Sequence, residues 1–394
     1  MVKQSYNYKS FIDLNYKPDE GDVVTQYLIR PAKGYTFKQV ASMVAGESSV
    51  GTWTDVKTMK PRIGKLLSPK VFYLDAKNKV ARIAYPLELF ELGNLPNILS
   101  SIGGNIYCMK SVNDLFWQDI NIPKKLLLSF KGPRYGINGL RKMLRVYQRP
   151  LLGTIVKPKV GLQPGEHSSV AYEAWLGGCD LVKDDENLAN QDFNKFKDRF
   201  LKTIKAMEKA EKETGEKKAY MVNCTAETEA MKKRINFVQR HGGNYIMLDI
   251  LTLGWSALQT ARNISKLHIH AHRAGHAMLD RPKNKGFGMS MEVIAEFTRM
   301  VGADSLHIGT VVGKMEGSKD EVLHIEREME EQQTKISRTN LGQRWYNMKP
   351  VMAVASGGLY PRLVPEIIKM GISAGIFFKF PISFTLYVAL TSSR

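Results

Sequence analysis

The apolar positions of the chain follow two rhythms. Up to about residue 130, short mixed runs predict a strand over Val23–Ile29, a helix over Thr36–Ala45 and a hairpin from Lys70–Leu74 and Val80–Tyr85. A helix over Leu95–Ile102 and a strand over Asn105–Met109 complete an α+β module. Lys131-Gly132-Pro133 and Gly136 mark a turn-rich connection, so the expected division is an N-terminal domain, residues 1–135, and a second domain, residues 136–394. From about residue 150, apolar strands alternate with amphipathic helices. The strands are predicted at Leu151–Val156, Cys179–Val182, Ala219–Val222, Tyr245–Leu248, Leu267–His272, Leu306–Thr310 and Val351–Ala355, with an eighth at Ala374–Phe378. Helices fit between them at Asp192–Glu213, Glu227–Arg240, Met291–Met300 and Val322–Gln332. Such alternation gives an α/β fold with a parallel sheet and helical crossovers, and the number of units favours a closed TIM (β/α)8 barrel over an open sheet.

That reading says where chemistry should lie, because barrels of this kind carry their sites at the carboxyl ends of the strands. Lys157 and Lys159 follow the first strand, and Lys183, Asp185 and Glu186 follow the second. His272 and Arg273 end the fifth; His307 lies in the sixth, ahead of Gly309 and Lys314; Ser356-Gly357-Gly358 follows the seventh. Loops are polar in any protein, but that does not explain why each group comes directly after an apolar run. A shared catalytic mouth does.

The densest of these groups is Gly178–Asn187, where Leu181-Val182 runs straight into Lys183, Asp184, Asp185 and Glu186. Carboxylates are hard oxygen ligands suited to Mg²⁺, which keeps positions open for substrate oxygens. An ammonium beside such ligands would repel the ion unless it is neutralised, and carbamylation by CO₂ would turn it into a further oxygen ligand. A solvated acidic turn with a lysine salt bridge is the competing reading. His268, His270 and His272 alternate along one strand and share a face, a spacing compatible with zinc. Hydrogen-bonded core histidines are the expectation for one or two of them, since a hard-oxygen site already stands at Asp185 and Glu186. Arg273 and His276 suit an anion, a guanidinium being able to grip phosphate in a fork. Gly309–Gly317 is a glycine-bracketed loop that could close and deliver Lys314 to developing negative charge. Ser356-Gly357-Gly358 offers either backbone N–H groups to a phosphate or a plain tight turn.

Composition changes this picture little. The 394-residue chain is 43% hydrophobic and 24% charged, enough for a sizeable core and more than one domain. Its formal net charge of +19 would suit nucleic acid or anionic substrates. The lysines are interleaved with acids, as over Lys202–Lys218, and form no single stripe, so no nucleic-acid partner is expected. Three unevenly spaced cysteines give no disulfide framework, and with no secretory signal at the start a cytoplasmic location follows.

Taken together, Gly153–Leu162, Gly177–Asn187, His272–Ala277, His307–Gly317 and Ala355–Gly358 resemble the large subunit of ribulose-bisphosphate carboxylase, RuBisCO. Glu47-Ser48-Ser49, Gly51–Thr54 and Gly104-Asn105 resemble its first domain, and Leu267–His270 is most similar to the archaeal form III type. The resemblance implies a ferredoxin-like α+β domain ahead of the barrel. It implies carboxylation of ribulose 1,5-bisphosphate by CO₂, with O₂ competing, to give 3-phosphoglycerate through an enediolate. It further implies that Lys183, carbamylated by CO₂, holds Mg²⁺ with Asp185 and Glu186 and takes the C3 proton. Lys157 would handle protons at the neighbouring carbon, while Lys159 and His272 support the metal site and the hydration step. Lys314, oriented by Glu47, would close over CO₂, and Asn105 would contact the metal-bound substrate. Arg273, His276 and His307 would bind one phosphate; Thr52, Trp53, Ser356, Gly357 and Gly358 would serve the other. In this family the Glu47–Asn105 segment reaches the barrel of a neighbouring subunit, which implies a homodimer or an assembly of dimers.

Relatives that enolise other substrates commonly replace several of these positions, and here all are present, which favours a carboxylase over an enolase or isomerase. The tail departs from the pattern. Where the family has a glycine-rich strand end and a closing helix, residues 371–394 are mostly apolar, with Phe378-Lys379-Phe380-Pro381 at the expected glycines. Pro381 interrupts what would otherwise be long enough for a membrane span, and no membrane partner is expected. Loss of that phosphate site and of barrel closure would leave an inactive structural or regulatory subunit as the alternative.

Overall fold

The computed structural model describes residues 11–51, 58–281, 286–310, 319–337, 340–359, 361–369 and 375–378. In chain order its strands are β1 (Val23–Pro31), β2 (Lys70–Asp75), β3 (Val80–Tyr85), β4 (Val112–Asn121), β5 (Leu151–Ile155), β6 (Leu181–Lys183) and β7 (Ala219–Asn223). There follow β8 (Tyr245–Asp249), β9 (His268–His272), β10 (Phe287–Met289), β11 (Ser305–Gly309), β12 (Met352–Ala355) and β13 (Gly375–Phe378). The chain forms two compact units: residues 1–130, 275–296 and 332–348 in the first, and 131–274, 297–331 and 349–394 in the second.

The first unit is a five-stranded sheet in the order β10-β4-β1-β3-β2. Its helix Phe37–Glu47 starts where the sequence suggests, with Thr36 as N-cap in a capping box with Gln39. The β2–β3 hairpin and the helix Leu95–Gly103 also form as expected. The strand expected over Asn105–Met109 does not. Gly103 and Gly104 end the helix, and the chain turns at once, Cys108 N–H donating to Asn105 C=O (2.9 Å) and leaving a 3₁₀ turn over Ile106–Cys108. The sheet's long second strand is instead β4.

The second unit is a closed barrel in the order β11-β12-β13-β5-β6-β7-β8-β9, every pair parallel. The eighth strand forms despite the unusual tail: β13 pairs with both β12 and β5, and the barrel closes through it. The tail residues 379–394 lie outside the described residues. A buried cluster fills one end of the interior, built from Leu151, Leu181, Met221, Tyr245, Met247, Met352 and Val354 with Leu140 and Leu144 of the helix Gly136–Leu144.

At the amino ends of the strands, buried acids tie the chain down. Asp304, just before β11, accepts from the backbone N–H groups of Tyr135 (2.7 Å), Gly136 (2.7 Å) and Ile269 (3.0 Å). Asp180, just before β6, takes a two-pronged pair from Arg149 (2.6 and 2.8 Å) and the N–H of Leu152 (2.8 Å). Among the described residues, no helix is long and apolar enough to cross a membrane.

Candidate active site

Lys183 is not beyond the second barrel strand, as the sequence suggests, but is its last residue, and it is fully buried. The run Lys183–Asp185 therefore divides by the two-residue period of a strand. Lys183 Nζ reaches Met247 Sδ on β8 (3.4 Å) and the Asp184 carbonyl (3.0 Å). Asp184 belongs to the opposite face. Its carboxylate accepts from Tyr220 Oη (2.6 Å), Asn223 N–H (3.0 Å) and Arg199 Nε (3.2 Å), and lies 3.1 Å from His167 Nε2. Burial opposes ionisation of Asp184, but Arg199, His167 and Tyr220 outweigh it and hold the carboxyl well below the usual range.

Asp185 and Glu186 continue the mouth face, and two lysine amines and an imidazole from neighbouring strands converge on them. Lys157 Nζ donates to Asp185 Oδ2 (2.5 Å), Lys159 Nζ lies 3.7 Å from Glu186, and His272 Nε2 lies 3.7 Å from the other Glu186 oxygen. Burial of Asp185 works against its charge, yet the Lys157 hydrogen bond prevails and keeps its pKa low. Lys183 is the reverse case. Burial disfavours its ammonium and pulls its pKa below that of an ordinary lysine, against the attraction of Glu186, Asp185 and Asp249. The solvated acidic turn is excluded: Lys183, Asp184 and Asp185 are all buried.

Sequence reasoning misses Asp249. It ends β8 and lies 3.1 Å from His272 Nδ1. The signal is an acid directly after the apolar run Tyr245–Leu248, the same pattern that marks the second strand. Of the alternating histidines, His268 faces the Asn244 carbonyl (3.2 Å) and stacks on Tyr135, and His270 Nδ1 lies 2.7 Å from Ser305 Oγ, so both are core histidines. His307 packs edge-on against His270 and His272, with ring centroids 4.4 and 5.1 Å apart. Burial, the largest cause, pulls His270 and His307 well below the ordinary histidine value, so both are neutral at pH 7.

Arg273 follows β9 and its guanidinium comes so close to Gly309 that a Cβ there would stand 2.9 Å from Nη2. Gly309, with φ of 100°, permits that approach. Ser356 N–H donates to the Gly309 carbonyl (3.0 Å), which sets Gly357 and Gly358 beyond the end of β12, where a Cβ on Gly358 would meet nothing within 4 Å. Glu47, Asn105 and His276 belong to the first unit. There Glu47 ends its helix half-buried, Asn105 is exposed, and His276 Nδ1 lies 2.6 Å from Asp280. Thr52, Trp53 and Lys314 lie outside the described residues.

A family model described as "Ribulose bisphosphate carboxylase large chain, catalytic domain" matches residues 136–379, and its N-terminal counterpart matches residues 10–126. The chain is 48% identical over 370 residues to a ribulose bisphosphate carboxylase of Methanocaldococcus jannaschii, covering 91% of this chain and 86% of that one. It is 47% identical over 365 residues to that of Methanosarcina mazei, covering 91% and 85%. Among solved structures, a dimeric archaeal Rubisco from Hyperthermus butylicus superposes with a TM-score of 0.88 at 42% identity, over 95% of this chain and 88% of that one. An octameric Rubisco from Pyrococcus horikoshii gives 0.88 at 39% identity, over 96% and 88%. With a closed barrel carrying lysines and acids at its mouth, and matches spanning nearly its whole described length, this chain belongs to the ribulose bisphosphate carboxylase large-chain family.

Proposed function

We propose that the protein carboxylates ribulose 1,5-bisphosphate to 3-phosphoglycerate, with O₂ as a competing reactant. The observation that carries this is the buried Lys183 amine beside the Asp185 and Glu186 carboxylates at the barrel mouth. The donor set fits Mg²⁺: two carboxylates, and an amine whose desolvation favours its neutral form, the form whose lone pair can bond to the carbon of CO₂, releasing a proton and leaving a carbamate oxygen. When bound there, the ion supplies Lewis-acid stabilisation to substrate oxygens. The Lys183 carbamate takes the C3 proton of the bisphosphate. C2 then bonds to CO₂, water adds at C3 with help from His272, and the C2–C3 bond breaks to leave a carbanion. Lys157 returns a proton to that carbon. Arg273, His307 and His276 hold one phosphate; Thr52, Trp53, Ser356, Gly357 and Gly358 hold the other. Lys159 supports Glu186, while Lys314, Glu47 and Asn105 complete the site, in at least a homodimer.

Incubated with CO₂ and Mg²⁺, the protein is expected to incorporate labelled CO₂ into 3-phosphoglycerate. The family match ends at residue 379, which keeps an inactive subunit as the second reading. A preparation that forms the Lys183 carbamate and binds Mg²⁺ but neither binds a bisphosphate analogue nor fixes label would favour it.

Activation should also carry a pH signature. Only the free amine reacts with CO₂, and a lowered pKa leaves more of it at any given pH. The activation rate at fixed dissolved CO₂ should therefore rise with pH to a midpoint below that of an ordinary lysine, about 10.4. A midpoint at or above that value would remove the case for a desolvated amine.

A further inference from the structure

We propose that Asn223 and Arg199 are positioning residues that set the divalent-ion affinity of the site by holding the peptide arc that carries Asp185 and Glu186. This rests on the reading of Lys183, Asp185 and Glu186 as the metal ligands.

The arc from Asp185 to Ala189 leaves β6 with no helix or strand of its own, only a single turn in which Leu188 N–H donates to Asp185 C=O (3.0 Å). A backbone in that state would present its two carboxylates in many orientations, and octahedral Mg²⁺ tolerates little misplacement. One side chain gathers most of its carbonyls. The Asn223 amide, at the end of β7, donates to Glu186 C=O (3.2 Å) and Leu188 C=O (3.1 Å), with Asp185 C=O at 3.5 Å. Its own Oδ1 accepts from Thr225 N–H (3.0 Å), which fixes which end of the amide faces the arc.

The far end of the arc is held by Arg199, from the helix Phe196–Thr214. Nη2 donates to Ala189 C=O (2.8 Å) and Nη1 to Asn194 C=O (3.1 Å) and its side-chain oxygen (3.2 Å). Both holders are fully buried, and both meet at one point, since Asp184 accepts from Arg199 Nε and from the Asn223 N–H. The result is a brace behind the ligands: a helix and a neighbouring strand fix the arc through its carbonyls, while its carboxylates stay turned to the mouth. Partners outside the ligand shell typically govern metal affinity by about 10–100-fold.

The test measures Mn²⁺ binding by electron paramagnetic resonance on the full-length chain equilibrated with CO₂, with the carbamate signal followed by ¹³C NMR. Three variants are compared: Asn223→Ala, Arg199→Lys and Tyr220→Phe. The first removes the amide, and the second keeps the charge facing Asp184 but loses the fork that reaches Ala189 and Asn194. The third removes one hydrogen bond to the same Asp184 without touching the arc. Asn223→Ala and Arg199→Lys should weaken Mn²⁺ binding by about 10–100-fold, whereas Tyr220→Phe, even if it lowers thermal stability, should leave binding within about threefold. Wild-type affinity in either of the first two variants, measured on soluble folded protein, overturns the inference, as does an equal loss in Tyr220→Phe. Should one of the first two fail to fold, the affinity of the other decides. A wild-type chain that binds no Mn²⁺ in the presence of CO₂ would instead overturn the assignment of the ligands themselves.

Discussion

Lys183→Ala is expected to abolish CO₂- and Mg²⁺-dependent activation and, with it, turnover. The amine is the one nitrogen in the proposed ligand set and the proposed route by which CO₂ adds an oxygen ligand there. Without it, Asp185 keeps the Lys157 ammonium at 2.5 Å, so a metal must compete with that cation using one ligand fewer. Losing several kcal/mol of charge stabilisation corresponds to a rate loss of about three decades or more. Labelled CO₂ fixed per protomer measures this, and the ¹³C carbamate signal should vanish in parallel. Carboxylation above about a thousandth of the wild-type rate would refute the carbamate assignment, whatever the variant's stability.

The opposite end of the barrel should give a large effect of another kind. Asp304→Ala removes the common acceptor of three backbone N–H groups and leaves them buried, at a cost of about 1–3 kcal/mol each where water does not reach them. Thermal unfolding should shift down on the order of 5–10 °C, while the specific activity of the folded fraction stays within about twofold, because Asp304 lies at the amino end of β11 and the proposed chemistry at the carboxyl ends. A melting temperature unchanged from wild type would show that those N–H groups find other partners.

The barrel is legible in the sequence because its strands are short apolar runs separated by amphipathic helices, and that contrast survives in one dimension. β4 is not. It lies between β10 and β1 and is buried along most of its length, yet its sequence, Val112–Asn121, mixes Asn113, Asp114 and Asp119 with Leu115, Phe116 and Trp117 and shows no alternation. Its acids are satisfied by distant chain, Asp114 by the N–H of Gly286 and Asp119 by the N–H of Leu341, which no local pattern announces. The helix Gly136–Leu144 looks like a turn for the converse reason. Gly136 and Gly139 resemble breakers, but Gly136, with φ of 62°, is where the N–H meets Asp304, and Gly139 is where the Tyr135 side chain packs. At the site, the residues that end strands in charge are readable. Asn223 and Arg199 are not, since a buried asparagine ending one strand and an arginine inside an amphipathic helix reveal their partners only in three dimensions.

The alternation at the end of β6 has a consequence for how this chain can change over time. Lys183 and Asp184 are adjacent in sequence but serve different layers, one facing the barrel interior and the other the surrounding helices. A point substitution can impair either role alone. One codon gained or lost between Cys179 and Lys183 would exchange them, turning the Asp184 carboxylate inward and the amine toward Arg199, so that site and scaffold would fail together. Drift in this stretch is therefore confined to substitution, and its length is fixed by the strand's own period.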